Sequence, residues 1–114
     1  MNKCVRQLHL TPRALLAEGF HRQLNTDALA HAPIVYIVHN QGFAGRVPLP
    51  MAFANPCLVD LAPAYRLRGA RITREQYAEV LVRAEKLCAE GHGPFFIELL
   101  LETSYDTNLP TPLA

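Results

Sequence analysis

The chain has few of the residue patterns that build metal or disulfide frameworks. Its three cysteines, Cys4, Cys57 and Cys88, are widely spaced and odd in number. No Cys-x-x-Cys pair occurs, which argues against a zinc ribbon and a disulfide scaffold and leaves buried free thiols as the expectation. The five histidines, His9, His21, His31, His39 and His92, show neither His-x-x-x-His nor His-Glu-x-x-His spacing, so no histidine-built metal site is expected. Charge of one sign is also lacking. The formal net charge is +1, without the positive balance of a nucleic-acid binder. The longest apolar stretches, Ile34–Val38 and Phe95–Ile97 with Leu99–Leu101, are far too short to span a bilayer, so no membrane partner is expected. Arg6 and His9 stand in mixed sequence with no apolar core of signal-peptide type, and the chain reads as cytoplasmic. No internal repeat is visible.

What is present is the composition of a folded domain. Half of the 114 residues are hydrophobic and 18% are charged, enough for one domain over 1–114 with a core of its own. Pro12 opens a short helix through Leu15 and Leu16 that ends near Gly19. Residues 21–31 read as a second short helix or turn, with Leu24, Ala28 and Leu29 on one side. Pro33 leads into Ile34–Val38, a continuous β-branched run that suits a strand covered on both faces, as in a parallel sheet. Residues 41–54 read as a loop ordered against something, because Phe43, Val47, Leu49, Met51 and Phe53 are too apolar for a solvated linker.

Asn55-Pro56 has the form of a helix start, with an Asn cap and Pro at the first helical position. Leu58, Leu61, Ala62 and Tyr65 follow at helical spacing, and Pro63 should kink or shorten that helix. Gly69 is expected to end the segment before a short strand, Ala70–Ile72. Thr73-Arg-Glu-Gln76 fits a capping box. The helix behind it, about 73–90, shows one apolar face (Tyr77, Val80, Leu81, Ala84, Leu87, Cys88) and stops at Gly91, where a left-handed residue belongs. Gly93-Pro94 turns the chain into Phe95–Leu101, a second buried strand. The tail, 102–114, reads as extended. This order gives an α/β fold, a partial parallel sheet with flanking helices.

Ligands of open α/β sheets sit past the carboxyl ends of the strands. Ile34-Val-Tyr-Ile-Val-His39-Asn40-Gln41-Gly42-Phe43 delivers an Asn side chain and a Gly carbonyl to that edge, two neutral oxygens that a hard cation such as Mg²⁺ accepts. A plain strand-to-loop turn is the alternative. Glu98, an acid inside an apolar strand, reads as paired or at a sheet edge and not as a catalytic base. His39 reads as a hydrogen-bonded turn residue, with a proton shuttle as the alternative. Arg66, Arg68, Arg71 and Arg74 read as a solvated face, with a phosphate or acidic-partner site as the alternative.

Four segments, taken in order, resemble a known family. They are Ile34–Phe43, Asn55-Pro-Cys-Leu-Val-Asp-Leu-Ala-Pro-Ala-Tyr65, Gly69-Ala-Arg-Ile-Thr73 and Gly93-Pro-Phe-Phe-Ile-Glu-Leu99. Together they are similar to the C-terminal, pyrophosphate-binding domain of thiamine diphosphate enzymes of the acetolactate synthase, pyruvate decarboxylase and benzoylformate decarboxylase group. Its strand ending Asn-Asn-x-Gly-Tyr is followed by a loop, a helix, a short strand, a helix and a final strand. The resemblance covers about residues 19–101 and implies thiamine diphosphate and Mg²⁺ as cofactors. Asn40 and Gly42 take the places of two metal ligands. With Phe43 they form the implied cofactor-binding set, covered by the 43–54 loop.

Two departures stand out. His39 replaces the first Asn of the family's pair. The family's Gly-Asp-Gly motif, which supplies an Asp ligand and a phosphate-binding helix start, does not occur. Ala17-Glu18-Gly19-Phe20 is its nearest echo, with Glu18 in the place of the Asp. The residues of a pyrimidine-binding domain with its activating Glu, and the strands ahead of the metal motif, are not recognised. The resemblance therefore implies a 2-oxo acid decarboxylase or carboligase that works with a complementary subunit, or a non-catalytic module that keeps the scaffold. A solitary version exposes apolar loop residues such as Phe43, Met51 and Phe53, so a homo-oligomer or a required partner is expected.

Overall fold

The computed structural model describes residues 4–101. The expected extended tail, 102–114, lies outside the described residues. Four parallel strands form the main sheet: β1 (Arg6–Leu10), β2 (Ile34–Asn40), β5 (Arg68–Thr73) and β6 (Phe95–Leu100), in the order β1-β2-β6-β5. The chain crosses from β1 to β2 through a 3-10 turn, Pro12–Leu16, and helix α1, Phe20–Leu29. Between β2 and β5 come the short pair β3 (Phe43–Ala44) and β4 (Val47–Pro48), a one-turn helix α2 (Leu49–Ala52), a 3-10 turn (Leu58–Asp60) and helix α3 (Leu61–Ala64). Helix α4, Arg74–Ala89, joins β5 to β6. The expected α/β architecture with a parallel sheet and flanking helices is what the chain forms.

The sheet divides the core in two. Along β2, Ile34, Tyr36 and Val38 face one apolar cluster with Leu24 of α1, Leu49, Leu58, Ala62 and Phe96. Val35 and Ile37 face the other, with Ile97, Leu99, and Ala84 and Cys88 of α4. β2 and β6 therefore contribute alternate residues to both clusters, which is why their sequences are apolar without a break. Helix α4 begins at the expected capping box, the Thr73 N–H donating to Gln76 Oε1 at 3.0 Å. It ends beside Gly91 at φ 92°, as expected.

The structure corrects several expectations. β1 is a fourth strand ahead of β2, paired in parallel from Arg6↔Ile34 to Leu10↔Val38. The 41–54 segment is not plain loop. Gly45-Arg46 closes a two-residue hairpin between β3 and β4, with Gly45 at φ 67°. Asn55 does not cap a helix. Its Oδ1 accepts from the Cys57 N–H at 2.9 Å and its Nδ2 donates to Asp60 at 2.9 Å, so the helical turns start only at Leu58. Gly69 does not end a segment but lies inside β5. A Cβ there would sit 2.9 Å from Ala62 Cβ and 3.0 Å from Val59 Cγ2, so this glycine lets α3 approach the strand. Of the three thiols only Cys88 is buried; Cys57 is half-buried and Cys4, ahead of the edge strand, is exposed. Phe43 and Met51 are exposed, whereas Phe53 packs on the core.

Candidate functional site at the carboxyl edge of the sheet

Asn40 ends β2 as a fully buried side chain. Its Nδ2 donates to Glu98 Oε2 at 2.7 Å, and its Oδ1 accepts from the Gly42 N–H at 2.8 Å. That second bond is an Asx turn, which swings the chain off the strand. The Gly42 carbonyl in turn accepts from the Leu49 N–H at 3.0 Å. Gly42 has φ 95°, a backbone that only glycine adopts without strain. Phe43 follows it into β3 with its ring partly in solvent.

Glu98 is the hub beneath this turn. It sits on β6, one strand from the sheet edge, and is itself fully buried. Burial pushes its carboxyl up, opposed by the Val59 N–H, Arg71, Asn40 and the Leu58 backbone. The Val59 N–H donates to Oε1 at 2.9 Å, and Arg71 Nε stands 3.4 Å from the same oxygen. The expectation that Glu98 is paired holds; it is not at an edge. Every described polar contact of Glu98 is structural, tying the β2 turn, the start of the 58–64 helical turns and β5 together.

His39 points to the opposite face from Asn40, and its Nε2 lies 2.8 Å from His9 Nδ1 on β1. His9 Nε2 meets Gln7 Oε1 at 2.9 Å, and Gln7 Nε2 donates to Glu85 at 2.8 Å. Glu85 fixes the amide of Gln7, so Gln7 offers its oxygen to His9. His9 then carries its proton on Nε2 and accepts from His39 on Nδ1. Burial, and then the neighbouring His9, lower the His39 pKa. His39 is hydrogen-bonded, as expected, but it lies within β2 and not in a turn. Sequence spacing gives no sign of the pair, because the two histidines meet only through the β1–β2 register.

Between the carboxyl ends of β1 and β2 lies a cavity of about 330 Å³, lined by Thr11, Arg13, His39, Gln41, Phe43 and Gly45 among others. Among the described residues, no carboxylate lines it. Arg13 crosses beside Gly45, where a Cβ would stand 3.6 Å from Arg13 Cδ. Glu18 is exposed on the link before α1 and lines no part of this cavity.

The Asn40 Oδ1 and the Gly42 carbonyl each keep one free lone pair after their hydrogen bonds. Among the described residues, no three His, Cys, Asp or Glu side chains gather where a cation would sit. Magnesium takes one or two carboxylates from a protein, with phosphate and water completing its shell. Two neutral oxygens on one buried turn do not by themselves make that site. No described helix is long and apolar enough to cross a membrane.

No protein-family model matches the chain. It is 29% identical over 89 residues to the alpha subunit of the acetoin:2,6-dichlorophenolindophenol oxidoreductase of Bacillus subtilis (strain 168), an alignment covering 75% of this chain. The chain spans 27% of the length of that subunit.

Proposed function

We propose that the chain is a piece of a thiamine diphosphate-binding domain that works in the cytoplasm within a larger assembly. Its reaction class is decarboxylation or carboligation of a 2-oxo acid, as in the acetolactate synthase group. The observation that carries this reading is the Asn40-Gln41-Gly42 turn at the carboxyl edge of a parallel strand, beside an acid-free cavity between two strand ends. The ordered segments that resemble thiamine diphosphate enzymes support it. So does the similarity to one subunit of an oxidoreductase, which also favours a partner.

When bound, the cofactor supplies the carbanion chemistry, and the protein supplies binding and orientation. Asn40, Gly42 and Phe43 border the end of the cofactor that carries the phosphates. Glu98 holds the Asn40 amide in one orientation, and the 43–54 segment screens the edge from water. Asn40 and Gly42 would hold the metal in the assembled enzyme, with a carboxylate from outside the described residues needed to complete the donor set. Glu18 is left outside the set. The exposed Phe43 and Met51 suit contact with a second copy or a complementary subunit.

The missing carboxylate favours a second reading, an interaction module that keeps the scaffold without catalysis. Isothermal titration with thiamine diphosphate separates the two. Saturable binding is the expected result. No heat and no thermal shift at millimolar cofactor removes the cofactor reading and leaves the module. Affinity raised by Mg²⁺ in the natural chain but not in Asn40→Ala assigns Asn40 its metal role, and a Mg²⁺ effect that persists in Asn40→Ala removes it. Sizing with light scattering checks association, which a monomer at high concentration would contradict.

A further inference from the structure

We infer that the cavity between β1 and β2 is a metal-independent site for a phosphoryl oxyanion, held by Arg13. This deepens the reading above, since it concerns the same sheet edge, but it assigns the anion's countercharge to this chain's own guanidinium instead of a cation.

The argument starts from the disagreement at the turn. The Asn40 carboxamide is fully buried, and both of its ends are engaged within the protein. No carboxylate stands beside it except Glu98, whose oxygens serve Asn40, Val59 and Arg71. A divalent cation therefore finds no charged ligand among the described residues of this edge. The cavity next to it has the opposite character. Its described lining includes Thr11, Arg13, His39 and Gln41 and no acidic residue.

Arg13 forms no ion pair among the described residues, where the one pair is Arg71–Glu98. A guanidinium in a concave site with no acid among its described lining residues suits an anion. Its planar fork suits two oxygens of a phosphoryl group. The Arg13 side chain runs beside Gly45, another lining residue, where a Cβ would stand 3.6 Å from Cδ and 3.9 Å from Nη1, so its guanidinium lies against the cavity wall. Thr11 and Gln41, also in the lining, carry neutral donors. His39 is held in place from behind by His9 at 2.8 Å. The site opens where parallel strands end, the edge at which α/β sheets take their ligands. At about 330 Å³ the cavity has room for a diphosphate.

The test is isothermal titration of the full chain with inorganic pyrophosphate in EDTA, repeated with Mg²⁺. Saturable binding in EDTA is expected, weakened about tenfold or more in Arg13→Gln. Arg13→Lys should fall between, because a point charge replaces a two-pronged donor. Arg13 is exposed, and circular dichroism checks that the variants fold. A pyrophosphate-dependent rise in melting temperature of the natural chain in EDTA gives a readout that needs no variant. Binding that requires Mg²⁺, ignores Arg13→Gln and is lost in Asn40→Ala overturns the inference while sustaining a metal-held cofactor. Absence of pyrophosphate binding in both buffers also overturns it. Arg13-dependent pyrophosphate binding with no gain in affinity for thiamine diphosphate sustains the inference and counts against the thiamine reading.

Discussion

Glu98→Gln tests the buried hub with a change of almost no volume. The natural carboxylate accepts at both oxygens, from Asn40 Nδ2 at 2.7 Å and from the Val59 N–H at 2.9 Å. A glutamine has one acceptor and one donor end. If its oxygen serves Val59, its NH₂ faces the NH₂ of Asn40. If Asn40 then flips, its NH₂ faces the Gly42 N–H, which now donates to Oδ1 at 2.8 Å. If the glutamine flips instead, its NH₂ faces Val59 and Arg71. Each arrangement leaves a buried donor without an acceptor, at a cost of about 1–3 kcal/mol. The lost pair with Arg71, whose side chain is 42% exposed, adds at most about 1 kcal/mol. For a domain near 100 residues the melting temperature should fall by roughly 5–20 °C. Urea denaturation followed by circular dichroism gives the free energy directly. The double variant Asn40→Asp with Glu98→Gln restores an acceptor for every donor, since the new carboxylate accepts from both the glutamine NH₂ and the Gly42 N–H. It should recover at least half of the loss. A Glu98→Gln variant within about 0.5 kcal/mol of the natural chain, or a double variant no better than the single, would refute the argument.

Other outcomes follow from the packing. Burial pushes the Cys88 thiol up to about 11, so at pH 8 iodoacetamide should label the exposed Cys4 and spare Cys88 until the chain unfolds, as mass spectrometry would report. Because the folded value lies above the ordinary 9.0, the Cys88 contribution to stability is complete below pH 9 and is lost as pH rises through about 11; the denaturation midpoint should fall over that window. Gly69→Ala should cost about 1–3 kcal/mol in a denaturant titration, because the new methyl would meet Ala62 Cβ at 2.9 Å. Tyr36→Phe removes the hydroxyl that donates to the buried Asp27 and should cost about 1–3 kcal/mol. An unchanged midpoint would show that this carboxylate is satisfied elsewhere.

The elements visible in the sequence are those whose pattern is dictated on both sides. β2 and β6 are apolar without a break because each is covered on two faces. Helix α4 carries a cap, a stripe and a glycine stop that agree. β1 is not visible in this way. Arg-Gln-Leu-His-Leu is an edge strand exposed along most of its length, so burial imposes no pattern on it. The pieces of 41–54 are too short for any period. Gly69 misleads because a glycine needed for close approach looks like one that ends a segment. The Asn40–Gly42 turn is legible from the residues alone. Arg13 and the His9–His39 pair are not, because their place depends on the register of the unseen strand.

The two walls of the cavity differ in how firmly they are held. His39 and Gln41 continue from β2, which has a strand on each side and apolar clusters on both faces. Thr11 and Arg13 continue from β1, which has one neighbour and little buried surface. Amide protons in β2 are therefore expected to exchange only when the whole domain opens, and those of β1 through local detachment at a lower free energy. The cavity thus has one wall fixed by the core and one held by a single strand pairing. An anion that bridged Arg13 to the β2 side would tie the two walls together, and the expected sign is slowed exchange in β1 ahead of any other part of the chain.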